Sequence, residues 1–293
     1  MRKSIALMIT LFFLLSAIFI LNTILKYYEK YSSETKAVYI GENSLVIKNT
    51  LQSLSKISEQ IKTSKDLQKI FTTVPLSDKN GDFRIVYTIK PLFNKIDINA
   101  FLSEQKINPY IENYIDNILN YYQIKDPVLF KDLLLDTMDK DNKEREAYSE
   151  IVLSNPYFQN GKIYNLKHFG QIINYYYQKT DDKNIFNIPW KKLIFFGNGK
   201  KHIIECNLLD KKVAQFLGLI YNNEITCKSL QNEENNKTVK NFNIIAYDGK
   251  HSFWIKTYIT YYINGQKQNI DIIYDINNKK VISVEGNPVY QRF

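Results

Sequence analysis

Residues Ile5 to Leu25 form an unbroken apolar run, IALMITLFFLLSAIFILNTIL, behind Arg2 and Lys3. The run carries no charge. At about 1.5 Å per residue its roughly 21 residues reach about 30 Å, the thickness of a bilayer's hydrocarbon core. A helix there satisfies its own backbone hydrogen bonds, which lipid cannot do for an open structure. No second stretch of this kind follows in the sequence. The expectation is a single-pass protein with nearly all of its mass on one side of a membrane.

A cleaved secretory signal would want an apolar stretch of about 7–15 residues and a small-x-small site. This run is longer, and Asn22-Thr23-Ile24-Leu25-Lys26-Tyr27-Tyr28 offers no such site. The pattern favours a retained helix. From Tyr27 to Leu67 there is no proline and a single glycine, Gly41, while Val46, Leu51, Leu54, Ile57 and Ile61 recur at helical spacing. An amphipathic stem helix is predicted over 26–70, with Gly41 as a break or kink.

Beyond the stem, Phe83, Ile85, Tyr87 and Ile89 alternate with other residues, and Ile96 and Ile98 resume after Pro91. That reads as a strand, a turn and a second short strand within 82–99. Over 100–230 the period turns helical, in Tyr110–Tyr122, Leu129–Met138, Leu166–Tyr177 and Leu208–Leu217. After a polar stretch, Gln231–Lys237, alternation returns over 240–293, in Phe242–Tyr247, Phe253–Ile263, Ile270–Ile276 and Val281–Val284. Asp248-Gly249, Asn264-Gly265 and Asn277-Asn278 between these runs are hairpin chemistry. The predicted class is α+β: a transmembrane and stem helix packed on an antiparallel sheet, with a large helical domain inserted between the sheet's two parts.

Lys and Arg outnumber Asp and Glu by 39 to 30, a formal charge of +9 that could serve anionic lipid or nucleic acid. The lysines are scattered singly, however, so a solvated surface is expected and direct nucleic-acid binding is not. Cys206 and Cys227 admit two readings. An oxidising compartment permits a disulfide, and two buried small apolar residues are the alternative. Spacing alone cannot supply the geometry that a bridge requires.

Lys3-Ser4-Ile5-Ala6-Leu7-Met8 resembles the basic leader, small residue and apolar helix of pilin-like proteins, with Ser4 where most members have glycine. Ordinary pilins carry a glutamate where this chain has Ile9, and the large K-type subunit typically lacks it. Further segments follow in that subunit's order. Phe93–Leu102 resembles the lead into its inserted helical domain, and Leu134–Asp141 with Glu144 and Tyr148 resembles its acidic stretch. Asn155-Pro156-Tyr157 and Leu166–Ile172 look like the next turn and helix, and Ile203–Asn207 with Leu208–Gly218 like the closing strand and helix. The chain thus resembles a K-type (tip) minor pseudopilin of the type II secretion system or the related competence pseudopilus.

The resemblance implies cleavage by prepilin peptidase between Ser4 and Ile5, methylation of the new terminus, and other minor pseudopilins as partners. It implies an inner-membrane protein with its bulk in the periplasm, serving protein secretion or DNA uptake. It further implies a calcium site at Asp139, Asp141 and Glu144, with Glu146 beside them. Counting Asp139 as the first residue of an EF-hand-like loop puts Asp141 third and Glu150 twelfth, but Lys143 and Glu144 break the pattern. A solvated acidic helix end balanced by Lys140, Lys143 and Arg145 is the other reading.

Catalytic signatures are missing from the sequence. His168, His202 and His251 are isolated from metal-ligand spacing. Ser53-Leu54-Ser55-Lys56 has the S-x-x-K form without the companion motifs, and Gly197-Asn198-Gly199-Lys200 lacks the spacing of a phosphate loop. The run Tyr175-Tyr176-Tyr177 reads as core plus rim. The expectation is a non-enzymatic assembly subunit; a membrane-anchored extracytoplasmic sensor or binding module is the alternative.

Overall fold

The computed structural model describes residues 46–71, 73–77, 83–199, 203–219, 226–263 and 266–287. The apolar run Ile5–Leu25, the expected processing residues Ser4 and Ile5, and the stem up to residue 45 lie outside the described residues. Among the described residues no helix is long and apolar enough to cross a membrane.

Two compact units divide between Ile57 and Ser58. The described part of the first is helical, with Val46, Thr50 and Leu54 buried one turn apart. That helix, α1, covers residues 46–60. The amphipathic pattern expected to run to residue 70 is interrupted at 61–63, and α2, Ser64–Lys69, begins afresh. The reason is local. Thr63 accepts the Asp66 N–H while the Asp66 carboxylate accepts the Thr63 N–H at 3.1 Å, a capping box that apolar periodicity counts straight over.

In the second unit β1, Thr73–Ser77, pairs antiparallel with β2, Phe83–Pro91. The chain then leaves through β3, Ile96–Asp97, a 3-10 turn at Ile98–Phe101, and a hairpin of β4, Leu102–Ser103, with β5, Lys106–Ile107. Helices α3 (Pro109–Tyr121), α4 (Pro127–Met138), α5 (Ile151–Ser154), α6 (Leu166–Thr180) and α7 (Trp190–Leu193) follow. Next come β6 (Ile194–Phe195), β7 (Ile204–Glu205), α8 (Lys211–Phe216), α9 (Glu233–Asn241) and β8 (Ile244–Ile245). The chain finishes its described course in β9, Trp254–Ile263, β10, Gln266–Asp275, and β11, Lys280–Asn287.

One five-stranded antiparallel sheet results, in the order β1-β2-β9-β10-β11. Its centre joins β2 to β9, so the two strand groups flanking the helical block share one sheet. Along β9 Ile255, Thr257, Ile259 and Tyr261 are buried while Lys256, Tyr258 and Thr260 on the other face are partly open, the period of two that a half-buried strand shows. Inside the helical block Phe130 stacks on Trp190 at 5.6 Å and meets Tyr176 edge-on at 5.4 Å. Such pairs add about 1 kcal/mol each beyond the area they bury.

Two expected strands fall elsewhere. Phe242–Tyr247 does not join the meander; its β8 pairs parallel with β7. Ile96 and Ile98 do not extend the sheet either, since β3 pairs parallel with β6. Both belong to the helical block's own small pairings, which alternation cannot distinguish from sheet strands.

Asp97 pins the point of departure. It is fully buried and accepts the N–H groups of Asn99 at 3.1 Å, Gly197 at 2.9 Å and Gly199 at 3.0 Å. Burial nonetheless pushes its carboxyl up to about 6. A Cβ on Gly197 would lie 2.3 Å from Asp97 Oδ2 and 2.9 Å from the Phe195 ring, so only glycine lets the backbone approach. Gly197→Ala is expected to cost about 2 kcal/mol or more, measured as a lowered denaturation midpoint. Gly170→Ala, with open space at its Cβ, should not show that loss.

Candidate functional site

The acidic loop after α4 is the densest group of oxygen ligands, and the fold sorts its members sharply. Pro127 opens α4 behind the cap Asp126, and the helix ends as Asp139 turns extended. Asp136, on the last turn, is fully buried. Arg145 Nη1 donates to Asp136 Oδ1 and, at 2.7 Å, to Asp139 Oδ2. Ser149 Oγ at 2.5 Å and the Arg145 N–H at 3.1 Å donate to the other Asp136 oxygen. Asp136 is therefore a structural carboxylate, neutralised by one guanidinium and satisfied by neighbours.

The expected calcium set of Asp139, Asp141 and Glu144 is not gathered. Glu144 is exposed and accepts the Tyr148 N–H at 3.1 Å, closing a local turn. Asp141 likewise accepts the Lys143 N–H at 3.0 Å, and Glu146 is exposed. Glu150 and Asn160 are joined to each other and to the loop backbone. Asn160 Nδ2 donates to Glu150 Oε1 at 2.9 Å and to the Asp141 carbonyl at 3.3 Å. Asp139 Oδ1, Glu150 Oε2 and Asn160 Oδ1 are buried without a hydrogen-bond partner.

Burial pushes the Asp139 carboxyl up to about 6, Arg145 opposing and the charges of Asp141, Asp136 and Glu150 adding to the rise. Burial also raises Glu150, with Asp136 and Asp141 contributing. Carboxylates disfavoured by burial and by one another, and oxygens left without donors, are of the kind that hard cations take.

Cys206 and Cys227 are joined in a disulfide with their Cα atoms 5.1 Å apart. Together with Glu205 they are, among the described residues, the only three His, Cys, Asp or Glu whose ligand atoms lie within 4.8 Å of one another. The bridge removes both thiolates, so the trio is not a metal site. Glu205 is instead a fully buried junction. Its Oε1 accepts from Ser64 Oγ at 2.8 Å, Asn207 Nδ2 at 3.0 Å and the Tyr247 N–H at 3.2 Å.

The remaining candidates have structural places. His168 is buried; its Nδ1 accepts the Tyr164 N–H at 3.3 Å, and burial lowers its pKa, which keeps the ring neutral. His251 caps an exposed turn against Asp248 at 2.5 Å, and His202 lies outside the described residues. Tyr176 is core and donates to Asp182 at 3.2 Å, with burial pushing its hydroxyl up to about 12. Tyr175 and Tyr177 are partly buried against the same core. Ser53 and Lys56 of the S-x-x-K run lie on α1, with Ser53 Oγ donating to the Asn49 carbonyl.

Sequence reasoning missed Glu205 and Asn160 as organising residues. Neither stands in a recognisable spacing, because Glu205 meets Ser64 and Tyr247 from 141 and 42 positions away, and Asn160 meets Glu150 from 10. Reducing the disulfide is expected to cost about 3 kcal/mol, the chain-entropy value for a closed loop of roughly 20 residues. Thermal melts with and without reductant would measure it, and Cys206→Ala with Cys227→Ala should abolish the difference.

No family model and no curated protein matches the sequence. A solved structure does: a chain of the GspK–GspI–GspJ complex from the enterotoxigenic Escherichia coli type 2 secretion system superposes with a TM-score of 0.55. The match covers 87% of this chain and 99% of that one, at 14% sequence identity. At such an identity the likeness is one of fold, and it spans both the five-stranded sheet and the helical block, the architecture expected from the resemblance to a K-type pseudopilin.

Proposed function

We propose that the chain is a minor pseudopilin subunit that works by assembly and not by catalysis. One observation carries the reading: a single antiparallel sheet interrupted by a large helical insertion, with the fold of a chain in the GspK–GspI–GspJ complex. The apolar run Ile5–Leu25 then serves as both membrane helix and oligomerisation helix, packing among the same helices of neighbouring subunits. The insertion is too bulky to stack between neighbours, which favours a place at the filament tip. Partners are other minor pseudopilins and, through them, a machinery for protein secretion or DNA uptake. The bulk of the chain is periplasmic, and the disulfide suits that oxidising compartment.

The mature amino end tests this directly. Mass spectrometry is expected to find loss of Met1–Ser4 and a methylated Ile5, and cross-linking is expected to capture sibling pseudopilins. An intact leader together with no pseudopilin cross-link would leave a tethered sensor as the better account.

We also propose that calcium binds the acidic loop through Asp139, Glu150 and Asn160. Bound there, it would neutralise the crowded carboxylates and fasten the loop to the segment around Asn160. Calcium at a hundredfold excess over its Kd should stabilise the folded chain by about 2.7 kcal/mol. Asp139→Asn and Glu150→Gln should each lose the calcium-dependent rise in melting temperature, whereas Glu144→Gln should keep it. A rise unaffected by the first two variants would place the ion elsewhere.

A further inference from the structure

The lysines that look scattered in sequence converge in space. A cleft of about 1110 Å³ opens between one face of the sheet and the helical block, and Lys90, Lys95, Lys162, Lys167, Lys191 and Lys256 line it. The lining holds one carboxylate, Asp271, which pairs with Lys256 at 3.0 Å. Among the described residues Lys90, Lys162, Lys167 and Lys191 make no ion pair. Lys90 on β2 stands directly opposite Lys256 on β9. Like charges so opposed destabilise a sheet, and here the Tyr258 ring lies under both ammoniums, at 5.5 and 5.1 Å. Desolvation, with Lys90 and Lys256 adding to it, lowers the pKa of Lys95. The cleft is a concentrated positive field over an apolar floor of Leu92, Phe195 and Ile273.

Two features decide what such a field would receive. A nucleic acid strand needs free aromatic faces on which bases stack. Here Tyr258 lies under two ammoniums and Tyr164 carries Lys162 at 5.0 Å, which leaves Tyr157, 95% exposed, as a lone open ring in the lining, too little for a run of stacked bases. A second, apolar slot of about 420 Å³, walled by Phe169, Ile173 and Ile188, adjoins the cleft at the shared residues Leu166, Trp190 and Lys191. An alkyl or aromatic side chain fits that slot, beside carboxylates on the lysines.

We propose that the cleft and slot together dock an acidic polypeptide segment of a partner protein, one that carries an apolar side chain among its carboxylates. The site stands independently of the pseudopilin reading, because it rests on the lining residues alone.

Fluorescence anisotropy with the full-length chain tests it. The probe is a labelled peptide of repeated Glu-Glu-Leu, compared with Gln-Gln-Leu and Glu-Glu-Ser peptides and with single-stranded DNA. The Glu-Glu-Leu peptide is expected to bind about tenfold or more tighter than each of the other three, with affinity falling as salt rises. Lys90→Gln with Lys191→Gln should weaken it about tenfold. Lys162→Gln with Lys167→Gln, both exposed, provides a second pair if the first impairs folding. Lys211→Gln with Lys237→Gln, outside the cleft, should change nothing. Equal binding of the Gln-Gln-Leu peptide, tighter binding of DNA, or indifference to both cleft pairs would overturn the proposal. Any of these results would leave processing at Ser4 and pseudopilin cross-linking unaffected.

Discussion

Two buried carboxylates hold the places where the helical block joins the sheet. Asp97 collects backbone N–H groups from Asn99, Gly197 and Gly199, tying the chain just after β2 to a loop 100 residues further on. Glu205 collects Ser64, Asn207 and the backbone ahead of β9. A buried carboxylate without donors would cost several kcal/mol, so each is tolerable only while its neighbours stay in place. The same dependence makes them clamps. Asn99 reinforces the first by donating to the carbonyls of Ile163 and Gly197 and accepting the Ile163 N–H at 2.8 Å. The disulfide covalently secures the segment that bears the second.

Charge is distributed with more structure than a net value of +9 suggests. The acids after α4 gather around Arg145, which settles Asp136 and leaves Asp139 and Glu150 with orphaned oxygens. The lysines gather on the opposite kind of surface, a cleft floored by apolar side chains. A charge beside low-dielectric walls is felt further than one in open water. Both groups therefore carry more electrostatic weight than the exposed charges around them.

Much of the architecture was legible in hydrophobic period. Helices α3, α4 and α6 fall where Tyr110–Tyr122, Leu129–Met138 and Leu166–Tyr177 place them, because α3 and α6 each bury one apolar stripe and α4 is buried on nearly every side from Leu133 to Met138. β1 was not legible: Pro75 breaks its strand signal, and the strand is tolerated because it lies at the sheet's edge. α9 was read as a polar stretch since it has almost no apolar face. Its cap Asn232, the acids Glu233 and Glu234 and the late Lys240 were the available signs. The acidic loop was legible as a cluster but not in its grouping, because Asn160 reaches it only through the tertiary fold. The lysine cleft was wholly illegible, since its members come from several separate stretches of chain.

The central seam of the sheet imposes an order of events on folding. Ile85 faces Tyr261 across β2 and β9, so the hydrogen bonds between them close a loop containing the whole helical block. Closure entropy grows only slowly with loop length, but contacts so distant along the chain still slow the search for the native pairing. Compacting the helical block first shortens the distance its ends must span. Until β9 is made, more than half the protein's length after β2, the edge of β2 that β9 covers has no partner, and an unpaired edge is a template on which another copy can pair.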